Sequence, residues 1–104
     1  MFGFSTVVVS GNSMSPAYNQ GDFLLIRSLS GQRHTLFIGQ VYLIQDPNRE
    51  GVNLLKRLKE TRMEHGITRY WVEGDSKESN DSRSWGWLEG DKFVGKVLLR
   101  YRKG

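Results

Sequence analysis

A serine hydroxyl becomes a nucleophile only when a neighbouring base takes its proton, and this chain offers two histidines, its carboxylates and its lysines for that task. Ser13 lies in Gly11-Asn12-Ser13-Met14-Ser15-Pro16, just after the β-branched run Thr6-Val7-Val8-Val9 and before a proline that halts regular structure. A strand end followed by a tight loop presents a side chain and its own N–H outward. That placement lets one residue attack a carbonyl and offer its amide to the developing oxyanion. Lys56 follows 43 residues later in Val52-Asn53-Leu54-Leu55-Lys56-Arg57-Leu58. A lysine ordinarily titrates at about 10.4, so it acts as a base near neutrality only where burial disfavours the ammonium form. In a strand, Lys56 and Arg57 point to opposite faces and Lys56 shares its face with Leu54 and Leu58. Those leucines could supply the desolvation.

A third polar segment, Gly74-Asp75-Ser76-Lys77-Glu78-Ser79-Asn80-Asp81-Ser82-Arg83, concentrates hydroxyls, carboxylates and one arginine. Composition alone makes it a turn. Taken singly, Ser13 is equally compatible with a surface turn, and Lys56-Arg57 with two snorkelling side chains. Order and strand context are what join the three segments.

The elements that must position them are strands. Apolar segments of strand length recur at Ser5 to Ser10, Asp22 to Arg27, Gln40 to Ile44, Val52 to Lys59, Thr68 to Glu73 and Lys92 to Tyr101. Asn19 to Asp22, Asp46-Pro47-Asn48 and Glu64-His65-Gly66 read as turns. Only Leu54 to Met63 admits a weak helical period. The expectation is an all-β or nearly all-β single small domain, residues 1–104, of coiled antiparallel sheets. Trp71, Trp85 and Trp87 are expected in the core or covering a sheet.

At 104 residues the chain suits one core. With no cysteine, disulfides and thiolate metal sites are excluded. His34 and His65 lack ligand spacing and read as surface imidazoles, so neither a metal nor a cofactor is expected. No apolar stretch approaches the roughly 20 residues that cross a bilayer, and the opening Met1-Phe2-Gly3-Phe4 lacks the basic and apolar regions of a signal peptide. The expected location is therefore cytoplasmic, or membrane-associated if an anchor precedes this segment. The net charge of +4 includes Arg100, Arg102 and Lys103 near the C-terminus. No nucleic-acid motif organises the basic residues, so nucleic acid is not an expected partner, whereas contact with an acidic or membrane surface is compatible with the charge.

Together the three segments resemble the serine/lysine peptidases of the signal peptidase I family. Gly21-Asp22-Phe23-Leu24-Leu25-Ile26 and Val94-Gly95-Lys96-Val97-Leu98-Leu99-Arg100-Tyr101 extend the likeness to most of the chain. The resemblance implies Ser13 as nucleophile and Lys56 as general base. It implies Ser79 as the hydroxyl that orients the lysine, with Asp81 and Arg83 bracing the loop. Some relatives carry a hydroxyl donor for the oxyanion where Gly11 stands, so here the second donor must come from elsewhere. The implied substrate is a precursor protein with an N-terminal leader. An extended peptide pairing with the Val7 to Ser10 or Val52 to Lys56 edge makes Val9, Ser10, Met14 and Leu54 the expected substrate-binding residues.

Within the family, the small size, the Trp71-Val72-Glu73-Gly74-Asp75 entry and the Val-Leu-Leu-Arg-Tyr ending most resemble the nickel-type superoxide dismutase maturation proteases. The chain departs from that subgroup at Ser76, in a loop shortened by one residue, and at Arg102. A trimmed signal peptidase and a mitochondrial-type inner-membrane peptidase are the near alternatives. The self-cleaving domains of SOS-response repressors also carry a Ser-Met segment and a downstream lysine, but lack the Gly-Asp…Ser-x-Asp-Ser-Arg segment. A non-catalytic peptide-binding module would not require a neutral Lys56.

Overall fold

In a computed structural model, residues 3–29 and 35–104 are described; the expectation for His34 lies outside them. Among the described residues the alternating apolar segments form seven strands: β1 Phe4–Val8, β2 Phe23–Ser28, β3 Val41–Gln45, β4 Asn53–Glu64, β5 Ile67–Glu73, β6 Leu88–Glu89 and β7 Phe93–Arg102. All pairings are antiparallel, in the order β1-β2-β7-β3-β4-β5-β6. The mainly all-β antiparallel architecture expected from the alternation is what is found. No described helix is long and apolar enough to cross a membrane.

Two boundaries differ from the sequence pattern. The weak helical period over Leu54 to Met63 is overridden, because β4 continues as a strand to Glu64 and pairs with β5 through a bulge between Leu58 and Glu60. Unforeseen were the single helical turn α1, Ser82–Trp85, and the short β6 after it. Asp81 caps α1, its carboxylate accepting from Arg83 N–H, and Gly86 follows with φ 83°. That Asp-x-x-x-x-Gly frame is a capping signal readable in the sequence.

The sheet has a separate apolar cluster for each of its faces. Leu29, Tyr42, Ile44, Leu58, Val72, Leu88 and Phe93 form one, with Leu54, Tyr70 and Trp85 against it. Val9, Met14, Leu24, Ile26, Val41 and Val97 form the other, with Val7, Tyr18 and Leu55 at its margin. Consecutive residues feed different clusters, as Val41 and Tyr42 do in β3 and Leu54 and Leu55 in β4, because strand side chains alternate. Trp71 and Trp87 stack edge to face at 5.2 Å, with Arg62 over the Trp87 ring. His65 is exposed at the β4–β5 turn with φ 51°.

Candidate active site

Ser13 reaches its position through its neighbour. Met14 is only 1% exposed and is packed into the second cluster, so burial of a flexible apolar side chain pins the loop that follows β1. Tyr18 N–H donates to the Met14 carbonyl and Ser15 N–H to that of Asn12, closing the loop into turns. Gly11, with φ 81°, takes the left-handed conformation that starts the loop. The Ser13 side chain remains partly exposed.

Lys56 comes from β4. It is 2% exposed, on the face of β4 that carries Leu54 and Leu58 into the first cluster. Its Nζ donates to Ser79 Oγ at 2.6 Å. Desolvation holds its pKa below the ordinary lysine value, and the Arg83 charge pushes the same way; Asp81 and Asp46 oppose the shift without cancelling it. Burial of an amine whose nearest partner is a neutral hydroxyl favours the free base.

The loop from Gly74 to Arg83 joins the two. Ser76 N–H donates to the Ser13 carbonyl at 2.8 Å, while Ser79, three residues on, holds Lys56. Among the described residues no hydrogen bond links Ser13 directly to Lys56. Gly74 lies between Ser79 and Ser13: a Cβ there would stand 2.2 Å from Ser79 Oγ and 2.7 Å from the Ser13 carbonyl oxygen.

Asp81 shapes that loop from within. Fully buried, it accepts from Gly74 N–H at 2.8 Å and from Arg83 through N–H, Nε and Nη2, the last at 2.6 Å. Burial alone would raise its pKa, but the Arg83 side-chain hydrogen bonds and the two backbone donors lower it to about 2. Arg83 Nη2 also donates to the Ser76 carbonyl at 3.1 Å. Ser82, equally buried, accepts from Val72 N–H and ties α1 to β5.

The expected substrate-binding residues fall into two groups. Met14 and Val9 are core residues, and Val9 spends its backbone N–H and C=O on Asp22 and Gly21. Ser10 is exposed and Leu54 half-buried. Among the described residues, two strand edges carry no partner strand. β1 ends the strand order, and β5 stops opposite Arg57, leaving residues 53–56 of β4 paired with β3 on one side and with no described strand on the other. No described cluster of histidines and carboxylates could hold a metal ion. Sequence reasoning missed the grip of Asp75 on Arg57 and the Ser76 N–H, although both follow Gly74 in the segment it singled out.

Comparison with known proteins bears on the family. Mitochondrial inner membrane protease subunit 1 of Xenopus tropicalis is 28% identical over 113 residues, covering 90% of this chain and 66% of that protein's length. A match to the family described as signal peptidase, peptidase S26 covers residues 1–59, more than half of the 104 and inclusive of both Ser13 and Lys56. The chain thus belongs to the signal peptidase family, peptidase S26.

Proposed function

We propose that this chain is a serine endopeptidase working through a Ser13/Lys56 dyad to remove an N-terminal leader from a precursor protein. The observation that carries the reading is the environment of Lys56: 2% exposed, lowered in pKa, and held by a loop that also holds Ser13. Lys56 Nζ takes the Ser13 hydroxyl proton as Oγ bonds to the scissile carbonyl carbon. The resulting ammonium returns the proton to the leaving amine as the peptide bond breaks. Water, deprotonated by the same amine, then hydrolyses the acyl-enzyme and restores Ser13. Ser79 fixes Nζ, and Asp81 with Arg83 shapes the loop that carries Ser79. The Ser13 N–H serves as one oxyanion donor; Gly11 brings no side chain, so the second donor is found elsewhere.

The substrate binds as an extended strand on an open edge of β1 or at residues 53–56 of β4. Backbone pairing sets the register and alternate side chains enter pockets. Met14 acts there as the buried support of the Ser13 loop. The nickel superoxide dismutase precursor is the proposed substrate, on the strength of the Trp71 to Asp75 entry and the C-terminal ending. Incubation of the chain with that precursor and with a secretory preprotein, followed by N-terminal sequencing, tests both levels. A new amino terminus on the first alone supports the maturation role, one on the second alone a general leader peptidase, and none on either overturns the peptidase reading. A leader peptide N-methylated around the scissile bond is expected to be cut far more slowly than its unmodified twin, and equal cleavage would exclude strand pairing.

A further inference from the structure

The loop that carries Ser13 is closed at its neck by Val9, which donates to the Asp22 carbonyl at 2.9 Å and accepts from Gly21 N–H at 2.8 Å. Between these pairs the chain leaves the sheet, and a cation from the last strand reaches it. Arg100 stands opposite Leu24 in the β2–β7 ladder, so its side chain leaves the sheet on the face where Met14 packs. Its Nη1 donates to the Ala17 carbonyl at 3.0 Å and to Asp22 Oδ2 at 3.1 Å. Asp22 is buried and also accepts from Asn19 N–H at 2.9 Å and Gly104 N–H at 3.0 Å. We infer that Arg100 is a positioning residue for the proposed reaction: by holding the outgoing arm of this loop to β7, it fixes the Ser13 hydroxyl relative to the Lys56 amine. This rests on the Ser13/Lys56 reading above.

Within the loop, Ser15 N–H donates to the Asn12 carbonyl, Tyr18 N–H to the Met14 carbonyl and Asn19 Nδ2 to the Pro16 carbonyl. These bonds make residues 12–19 one unit without fastening it to the sheet. Past the neck, Met14 and Tyr18 hold it by apolar contact with the second cluster, and Ser76 N–H holds the Ser13 carbonyl at 2.8 Å. Apolar contact has no preferred direction and lets the unit slide, whereas a hydrogen bond fixes direction as well as distance. Arg100 gives the outgoing arm such a bond at Ala17, as Ser76 gives one at Ser13. The Asp22 carboxylate holds the same guanidinium and the Asn19 N–H, so the exit turn is tied to that cation too. Because the unit is bonded internally, a shift at Ala17 is passed to Ser13.

The test compares Arg100→Met, which keeps the stem and loses the donor, with Arg100→Lys. One nitrogen of Arg100 serves both oxygens, so a lysine ammonium can replace it. Cleavage of a leader peptide across pH gives kcat and KM, and amide hydrogen exchange of peptide-free protein reports on the loop. Misplacement of a catalytic group by about 1 Å costs about 100-fold. With the other fastenings intact, Arg100→Met should lower kcat by about 10-fold with KM little changed. Arg100→Lys should recover most of it. The charges that act on Lys56 are Asp81, Arg83 and Asp46, so the kcat plateau should fall while its pH limb stays in place. In Arg100→Met the Ser15 and Tyr18 amides should exchange faster, while those pairing β3 with β4 keep their rates. Unchanged kcat in folded Arg100→Met overturns the inference. So do a rise in KM at constant kcat, which would put Arg100 on the substrate, a displaced pH limb, and unaltered exchange at Ser15 and Tyr18. Failure of the dyad reading shows separately, as cleavage retained in Ser13→Ala, and leaves the exchange readout standing.

Discussion

The two halves of β4 are one continuous strand in two different solvents. From Leu54 to Leu58 every residue is buried or half-buried, and Lys56 is 2% exposed. From Lys59 to Glu64 every residue is exposed, and Lys, Glu, Thr, Arg, Met and Glu follow in a hairpin arm. Lys56 and Lys59 are chemically identical and three residues apart. What separates them is what covers the strand: β3, the first apolar cluster and the Gly74 to Arg83 loop reach the inner half, and among the described strands the outer half pairs with β5 alone. Lysine chemistry in this fold is therefore set by cover, and each of the following substitutions tests that contrast.

The largest effect is expected for the inner lysine and its serine. Lys56→Met and Ser13→Ala should each lower leader cleavage by about 10⁴-fold or more. Lys56→Met should also leave thermal stability equal or higher by about 1 kcal/mol, since an apolar side chain replaces a desolvated amine. Cleavage kinetics and thermal unfolding on the same preparations check both. Loss of fold in Lys56→Met would mean that the amine is structural.

Gly74→Ala comes next. Its methyl would fall on Ser79 Oγ and the Ser13 carbonyl, so Ser79 must turn away from Lys56 or the Ser13 loop must retreat. Cleavage should drop by about 100-fold, the cost of a misplaced catalytic group. Denaturant unfolding should show a loss of about 1–3 kcal/mol, typical of overpacking.

Ser79→Ala should cost less, about 10-fold, and is best read by its pH profile. The neutral Lys56 is the active form, so turnover rises with pH as the amine loses its proton, below the ordinary lysine range. That limb should shift in Ser79→Ala while the fold remains. A profile that instead follows His65 would assign the base elsewhere.

The smallest effect belongs to the outer half. Lys59→Met and Arg62→Ala should change turnover by less than about twofold and stability by less than about 1 kcal/mol, because exposed charges and partly solvated ring contacts contribute little. A large loss of activity in either would show that the hairpin arm is part of the site.

The same contrast explains what was legible in the sequence. Alternation of apolar residues revealed the strands and put Lys56 on the face of Leu54 and Leu58, because period-two patterning is local. The three polar segments were visible because their chemistry is dense. Met14 was not legible as a core residue, since its burial depends on Leu24, Ile26, Val41 and Val97 arriving from three other strands. The outward run of β4 past Lys59 was hidden too, because exposed polar residues carry no alternation and only pairing with β5 keeps them extended. The grip of Asp75 on Arg57 spans 18 residues and follows from topology rather than spacing.

β1 closes one side of the sheet with Phe4-Ser5-Thr6-Val7-Val8, a β-prone segment with no charge and no proline, in which Phe4 and Val8 are 60% and 55% exposed. Charged residues, prolines and bulges are the usual guards of such an edge, and β1 has none of the three. Unguarded backbone of this composition is a template on which other chains can stack. The accessibility that would admit an extended peptide therefore sets a ceiling on the concentration at which the protein remains monodisperse.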